Sequence, residues 1–552
     1  MPTLHGNTQG LKQSHSRALQ ALYDRRLDAH SYVTPDFARR LCELSRELRR
    51  QLGVMLDRRG RVSHVIVGDA HQLFIPDLGR HRAGHLRGIR LVHTHLRGEG
   101  LTRDDLTDLT LLRLDAIVAI QAQLDGLPGP LELGTLLPPT RKRGSSHQGE
   151  PWQVEGIDSI HGWTRDFLDD IQDLESQFTS RDATIRVAGR IRAIVIGVST
   201  QDANAAEQSL DELELLSETA GLEVADRILQ LRRRYDQKYV IGKGKLQDVL
   251  IRAMQLGAEV LVFDQELSPS QLRNIATDTE LKVLDRTQLI LDIFATRAKS
   301  REGKLQVELA QLRYRRPRLA LMPTAMSRLT GGIGGRGPGE SKLEINRRRA
   351  AERTSRLEKQ LKKLSKNRAL RRARRSRVGI PSVAIVGYTN AGKSTMLNTM
   401  TESTVDAEDK LFATLDPTSR RLRFPEEREV VLTDTVGFIR DIPDALVHAF
   451  RATLEEVLVA DLLLHVMDTT SPDLEAQVAS VEKTLDQLGA GQTPCIRVLN
   501  KIDCVDTESW SSLREQYGCL LCSAKTREGL EDVMIEIERK LFQKKAIATK
   551  EH

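Results

Sequence analysis

Gly387-Tyr388-Thr389-Asn390-Ala391-Gly392-Lys393-Ser394 follows the apolar run Val383 to Val386 and opens the helical pattern Ser394-Thr395-Met396-Leu397-Asn398-Thr399-Met400. Every fixed position of GxxxxGK[ST] is present, between a strand and a helix, which is the context the motif needs. The glycines let backbone N–H groups curl around phosphate oxygens. Lys393 then reaches the outer phosphates, and the Ser394 hydroxyl suits Mg²⁺. A parallel α/β domain is expected from about residue 378.

Three more motifs follow, each after a predicted strand. Glu429-Val430-Val431-Leu432-Thr433-Asp434 delivers Asp434-Thr435-Val436-Gly437, where Asp434 can hold the metal through water and the Gly437 amide can sense a γ phosphate. Asn500-Lys501-Ile502-Asp503 falls at the carboxyl end of a strand, where open α/β sheets bind ligands. The Asp503 carboxylate can accept from both N1–H and the 2-amino group of guanine, a pair of donors that adenine lacks. Ser523-Ala524-Lys525 can complete the base pocket with backbone N–H groups. The order of the four motifs predicts a guanine-nucleotide domain that binds GTP and GDP.

Two positions bear on hydrolysis. Phe438 follows Gly437, where the small-GTPase layout has a Gln, and a phenyl ring cannot align water by hydrogen bonding. Asn390 either places an amide oxygen beside the phosphates to hold K⁺, or stabilises the loop. Between the first two motifs, Thr414 and Thr418 both have the chemistry of a switch threonine.

Upstream the charge becomes specific. From Ser341 to Arg377 there are sixteen Lys or Arg against three Glu, an excess of +13 that leaves −6 for the rest of a chain whose total is +7. Such concentration suits a polyphosphate partner, with RNA foremost. Leu305, Leu309 and Leu312 have coiled-coil spacing, as do Leu357, Leu361 and Leu364, so two antiparallel helices are expected. Between them lies GGIGGRGPGE, residues 331–340, in which six of ten are glycine and no helix persists. Arg336 at this tip, and Arg347, Arg348, Arg349, Lys362, Lys363, Arg371, Arg372, Arg374 and Arg375 along the second arm, are the candidate RNA contacts.

A length of 552 residues predicts several domains, and 39% hydrophobic residues are enough for real cores. No run approaches ~18 apolar residues, and the start MPTLHGNTQG lacks a secretory pattern. Five cysteines, Cys42, Cys495, Cys504, Cys519 and Cys522, suit reduced thiols in a cytosol. Cys519 and Cys522 sit in a run that reads as a buried strand rather than a metal or redox motif. A cytoplasmic monomer without a membrane span is expected, with peripheral membrane association left open.

Phe412-Ala413-Thr414-Leu415-Asp416-Pro417-Thr418, Asp434-Thr435-Val436-Gly437-Phe438 and Asn500-Lys501-Ile502-Asp503, with the GGIGGRGPGE loop and the basic helix, resemble the HflX family of ribosome-associated GTPases. The resemblance runs from about Ile191 to the C-terminus and includes IGKGKLQDV, Ile241 to Val249. It places the switch threonine, a second Mg²⁺ ligand, at Thr414, and makes Lys393, Thr414 and Gly437 the catalytic set. It implies a GTP hydrolase that binds the large ribosomal subunit and separates stalled or idle ribosomes under stress. A second nucleotide site near Gly242 and Gly244 would accord with the family, but a lone GKGK reads as a structural turn.

The first 140 residues lie outside that pattern and read as a small α/β module with a hairpin turning at Arg59-Gly60. Val92-His93-Thr94-His95 puts two imidazoles on one strand face, with Glu99, Asp104 and Asp105 following. This loosely resembles the JAB/MPN motif HxHx₁₀D, with the carboxylate one residue early at Asp105 and Leu96 in place of proline, which favours a degenerate or repurposed module. The expected division is 1–140 module, 141–183 linker, 184–290 α/β domain, 291–377 helical hairpin, 378–545 GTP-binding domain and 546–552 tail. Two other functions remain: a metal-dependent hydrolase at His93 and His95 regulated by GTP, and a ribosome-assembly or tRNA-modification GTPase.

Overall fold

The computed structural model describes residues 3–76, 78, 85–138, 150–186, 191–200, 202–279, 281–319, 342–401, 412, 418–424, 428–440 and 454–548. Two compact units emerge: Met1–Thr200 with Leu222–Leu261 and Asn274–Val283, and Gln201–Gly221 with Val262–Arg273 and Leu284–His552.

The strands of the N-terminal sheet are β1 (Leu4–Gly6), β2 (Leu52–Asp57), β3 (Val62–Val67), β4 (Ile89–His95), β5 (Ala116–Ala122), β6 (Pro128–Leu136) and β7 (Trp152–Ile157), in the order β1-β3-β2-β4-β5-β6-β7. The β2–β3 hairpin is antiparallel, and its turn glycine Gly60 has φ 74°, a left-handed conformation without steric cost for glycine. Helices α1 (Gln13–Gln20), α2 (Pro35–Leu48), α3 (Arg103–Leu111) and α4 (Phe167–Arg186) accompany this sheet. The expected linker over 141–183 is corrected here. Its part from 150 onward contains β7, paired antiparallel to β6, and the start of α4. Trp152, Phe167, Ile171 and Phe178 are buried in the module's core. The linker composition of Pro138 to Ser146 does not extend that far, because the apolar residues beyond it recur at helical spacing.

A second sheet has the order β11-β10-β8-β9, from β8 (Ile191–Ser199), β9 (Leu222–Leu231), β10 (Val260–Phe263) and β11 (Lys282–Asp285); β8 and β9 pair in parallel. Its helices are α5 (Ala203–Thr219), α6 (Lys243–Leu256), α7 (Pro269–Asp278) and α8 (Arg286–Arg297). The boundary expected at 290/291 falls inside α8. Beyond it, α9 (Arg301–Leu319) lies against α10 (Lys342–Val378). Ion pairs Arg353–Glu308 at 2.7 Å and Arg313–Glu358 at 2.6 Å cross the pair. Leu357 and Leu309 are buried, whereas Leu305 and Leu312 are only half-buried. Val307, Ala310 and Tyr314 are buried instead, because α9 packs against both α8 and α10 and needs a second apolar face. The loop 331–340 lies outside the described residues.

The C-terminal sheet has the order β13-β14-β12-β15-β16-β17, from β12 (Ser382–Val386), β13 (Thr418–Arg423), β14 (Glu429–Asp434), β15 (Leu462–Asp468), β16 (Cys495–Asn500) and β17 (Leu520–Leu521). All pairings are parallel except β13 with β14. Helices α11 (Lys393–Thr401), α12 (Leu474–Leu488), α13 (Trp510–Tyr517) and α14 (Leu530–Ala548) complete it. The central strands are almost continuously apolar, as strands covered on both faces must be, and Val383, Ile385, Leu432, Leu464 and Val498 are fully buried. Three strands, β12, β14 and β16, run in parallel and end beside the loops that carry the first three motifs, so the site follows from the topology.

Candidate functional site

The turn from β12 to α11 needs unusual backbone. Gly387 has φ 150°, and a Cβ there would sit 2.1 Å from the Val466 carbonyl oxygen. Gly392 has φ 88°, and its Cβ would meet Asn500 Nδ2 at 2.2 Å. Side chains are excluded at both positions, so the backbone amides of the loop are left accessible. Asn390 is exposed and left-handed at φ 62°. Ala391 and Thr389 are buried, and Thr395 continues the first turn of α11.

Lys393 is buried, and its Nζ donates to the Tyr388 carbonyl at 2.6 Å. Burial pushes its ammonium down to about 8, with Asp434 opposing that shift. Ser394 Oγ donates to Asp434 Oδ2 at 2.6 Å. A hydroxyl and a carboxylate this close form a hard-oxygen pair that suits Mg²⁺. The Asp434 segment also reaches the phosphate loop: Thr389 N donates to the Phe438 carbonyl at 2.7 Å and Phe438 N to the Gly387 carbonyl at 3.1 Å. At Gly437 a Cβ would lie 3.0 Å from Lys393 Nζ, so the second motif packs directly on the first. Phe438 is 1% exposed; its ring is a core anchor.

The third and fourth motifs interlock with the first. Asn500 Nδ2 donates to the Ala391 carbonyl at 2.9 Å, and its Oδ1 accepts from Ala524 N at 2.8 Å, so one buried amide ties loop one to loop four. Ser523 Oγ donates to Asp503 Oδ1 at 2.6 Å, and this bond holds the exposed Asp503 carboxyl below its ordinary range. Lys501 reaches Asp468 Oδ2 at 2.7 Å, and Lys525 is exposed. Lys393, Gly437, Asn500, Ser523 and Ala524 are thus brought together, with Asp503 held by Ser523. Thr414 lies outside the described residues; Thr418 begins β13.

Several residues at the site carry no motif of their own. Tyr388 Oη donates to Glu212 Oε1 at 2.6 Å and accepts from Arg440 N at 2.6 Å. Arg286 pairs with Glu212 and, at 2.9 Å, with Asp264; burial opposes its charge, and the two carboxylates more than offset that opposition. Phe412 packs edge-to-face on Phe294 of α8, with centroids 4.6 Å apart. A Tyr inside a phosphate loop is the available signal in the sequence; its partner 176 positions away is not.

Of the RNA candidates, Arg347, Arg348, Arg349, Lys362 and Lys363 are exposed on α10, which continues through Arg371, Arg372, Arg374 and Arg375. Arg336 lies outside the described residues. In the N-terminal module His93 and His95 are buried, with Nε2 atoms 2.8 Å apart and Asp105 at 3.4 and 3.5 Å. Gly242 precedes α6 at its N-terminus.

A largely parallel sheet whose strand β12 feeds the GxxxxGKS loop, with that loop tied through Asn500 to the third and fourth motifs, defines a P-loop GTPase, an enzyme that converts GTP to GDP and phosphate. Family models agree along the chain: "GTP-binding GTPase N-terminal" matches residues 207–295, "GTP-binding GTPase Middle Region" 297–375 and "50S ribosome-binding GTPase" 382–501. GTPase HflX of Caldanaerobacter subterraneus is 49% identical over 358 residues, 65% of this chain and 82% of that protein. GTPase HflX of Escherichia coli is 45% identical over 319 residues, 58% and 74% respectively. The chain belongs to the HflX family of GTPases. Among solved structures, a GTP-binding protein of Sulfolobus solfataricus in complex with GDP is 26% identical, with 64% of this chain and 99% of that one covered at a TM-score of 0.35.

Proposed function

We propose that this GTPase works on the large ribosomal subunit, and that its nucleotide state sets how firmly the α9–α10 arm seats on ribosomal RNA. The observation that carries the reading is the exposed Arg347-Arg348-Arg349 and Lys362-Lys363 clusters on a 37-residue helix joined to a GTP site. Phosphate contacts from Lys and Arg supply most of the affinity for RNA shape. The family model named for 50S binding covers the GTP domain and supports the same partner.

In this proposal the amides of residues 387–394 cradle the phosphates and Lys393 Nζ exchanges the Tyr388 carbonyl for a phosphate oxygen. Asp503, Asn500, Lys501 and the Ser523-Ala524-Lys525 turn hold guanine. Ser394, Thr414 and, through water, Asp434 would hold Mg²⁺, which when bound offsets charge on the transferring phosphoryl group. Asn390 is the residue we assign to K⁺. The Gly437 amide reports the γ phosphate. Phe438 is packed away from solvent, so residue 438 orients no water, and the attacking water is aligned by groups that the ribosome supplies or rearranges. Such a site is slow alone and fast on its target, as suits a factor that separates stalled or idle ribosomes under stress.

GTP turnover measured with and without purified large subunits tests this. Stimulation by roughly 10-fold or more, abolished in Lys393→Ala, is expected on the scale of completed GTPase sites. Equal rates with and without subunits would remove the ribosome from the account.

A further inference from the structure

Helix α8 starts at Arg286 because Asp285, the last residue of β11, caps it: the Asp285 carboxylate accepts from Gln288 N at 2.9 Å. The same buried carboxylate holds α9, accepting from the Tyr314 hydroxyl and, at 3.4 Å, from Arg318 Nη2. Burial first, and then Asp285, push the Tyr314 phenol up, so it stays a donor. The Arg318 guanidinium carbon lies 3.4 Å from the centre of the Tyr314 ring, and its Nη2 also donates to the Leu267 carbonyl at 2.8 Å. Further along α8, Asp292 accepts from Gln311 Nε2 at 3.2 Å. The last turns of α9, the helix that precedes the Gly-rich loop in the sequence, are thus fastened to α8.

The same helix touches the segments beside the nucleotide loop. Arg286 Nη2 donates to Glu212 Oε2 and, at 3.4 Å, to the Arg440 carbonyl, and Glu212 in turn holds the Tyr388 hydroxyl at 2.6 Å. Arg440 stands three residues beyond Gly437, and its guanidinium donates to the Ala205 carbonyl at 3.2 Å and to Gln208 Oε1 at 3.3 Å, both on α5. Eight residues along α8, about 12 Å at 1.5 Å per residue, Phe294 packs edge-to-face on Phe412 with centroids 4.6 Å apart. Phe412 is buried in a left-handed conformation at φ 57°, uncommon for an aromatic residue, two positions before Thr414. Stability alone does not call for Arg286 here, since a buried guanidinium with carboxylates costs desolvation that apolar side chains avoid. What the ion pairs add is a fixed geometry between α8, α5 and the loop.

We propose that α8 is the element through which the nucleotide loop and the base of the basic arm constrain each other, with Arg286 and Phe294 as positioning residues and Asp285 as the joint to α9. The inference rests on the reading above, in which the nucleotide state sets how the α9–α10 arm seats. A γ-phosphoryl group that draws in Gly437 and Thr414 pulls on Arg440 and Phe412, each of which is in contact with α8. A close-packed helix moves as a body rather than deforming, so the shift reaches Tyr314 and Arg318. GDP lacks that phosphoryl group, so the state of α8 bears on GTP and not on GDP. The coupling is reciprocal: RNA held by the arm changes the preference for GTP by the same factor as GTP changes the hold on RNA.

The test measures nucleotide affinity of the full chain without ribosomes, by competition of a non-hydrolysable GTP analogue and of GDP against a fluorescent GDP analogue. Tyr314→Phe keeps the ring beneath Arg318 and removes a hydroxyl whose bonds among the described residues go to Asp285 and Arg318. This variant and Phe294→Leu should each weaken the GTP analogue by about threefold or more, the scale of coupling carried through packed elements, and leave GDP unchanged. In the double variant the loss should fall short of the product of the two single losses, because both act through one helix. If Phe294→Leu fails to fold, Tyr314→Phe decides alone. Equal weakening of both nucleotides by Tyr314→Phe, no change in either, or fully multiplicative losses in the double variant would overturn the proposal. Parent protein that bound large subunits equally in both nucleotide states would instead remove the ribosomal reading, and the affinities would still decide for or against α8.

Discussion

The phenol of Tyr388, inside the phosphate loop, donates to Glu212 Oε1 of α5 at 2.6 Å. The same oxygen accepts from the Arg440 amide, three residues beyond Gly437, and Glu212 is itself paired to Arg286. A residue of the loop between β12 and α11 is thereby joined to one that follows the Asp434–Gly437 motif and to a helix earlier in the chain. Tyr388→Phe keeps the ring and removes both bonds, leaving Glu212 and the Arg440 amide each short of a partner. A loss of about 1–3 kcal/mol is expected, read as a lower Tm in nucleotide-free protein, with a change in how strongly large subunits stimulate turnover. An unchanged Tm and unchanged stimulation would make the contact ornamental.

Lys393 gives a pH prediction. Its ammonium is held down to about 8 by burial, while an unfolded lysine titrates near ~10.4. Phosphate at the site favours the charged form, so above pH ~8 binding must take up a proton. Nucleotide affinity should fall as pH rises, by up to about tenfold per unit. Calorimetry in buffers of differing ionisation enthalpy measures that uptake directly. The sign for the empty protein is opposite: the folded form binds fewer protons than the unfolded between about 8 and 10.4, so this group adds stability as pH rises through that window.

Asp503 is held ionised by Ser523 Oγ at 2.6 Å. If Asp503 selects the base as proposed, Asp503→Ala removes two acceptors for guanine at about 1–3 kcal/mol each. GTP affinity should fall roughly 30-fold or more, while ATP affinity should stay unchanged. Competition of each nucleotide against a fluorescent GDP analogue reads the ratio, and retained preference for GTP would place base selection elsewhere.

The basic arm gives a salt prediction. Replacing Arg347, Arg348 and Arg349 by Glu should flatten the dependence of large-subunit binding on salt by about one unit of log–log slope for each phosphate no longer neutralised. Isolated GTPase activity should not move. A slope equal to that of the parent protein would show that these exposed side chains do not meet RNA.

The positions of the motifs in the C-terminal sheet are legible in the sequence because the signal is local: each follows a strand whose apolar run is itself visible, so Gly387 to Ser394, Asp434 and Asn500 can be placed at strand ends by order alone. Three things are less legible. Trp152 and Phe167 are hidden behind a charged linker composition, yet they complete the N-terminal core. The burial of Val307, Ala310 and Tyr314 in place of Leu305 and Leu312 depends on a second neighbouring helix, which a single periodicity cannot announce. Glu212, Arg286 and Asp264 carry no motif at all; their ion pairs close across 22 and 74 positions, and such pairing is a property of the fold. Asp105 shows the converse, since its spacing from His95 argues against a shared site and the capping turn brings it there.

Co-sedimentation of the full chain with purified large subunits, in a non-hydrolysable GTP analogue and in GDP, tests the central claim most directly. The account predicts binding at least about 10-fold tighter with the analogue, a coupling of roughly 1.4 kcal/mol. Equal binding in the two nucleotide states would contradict it.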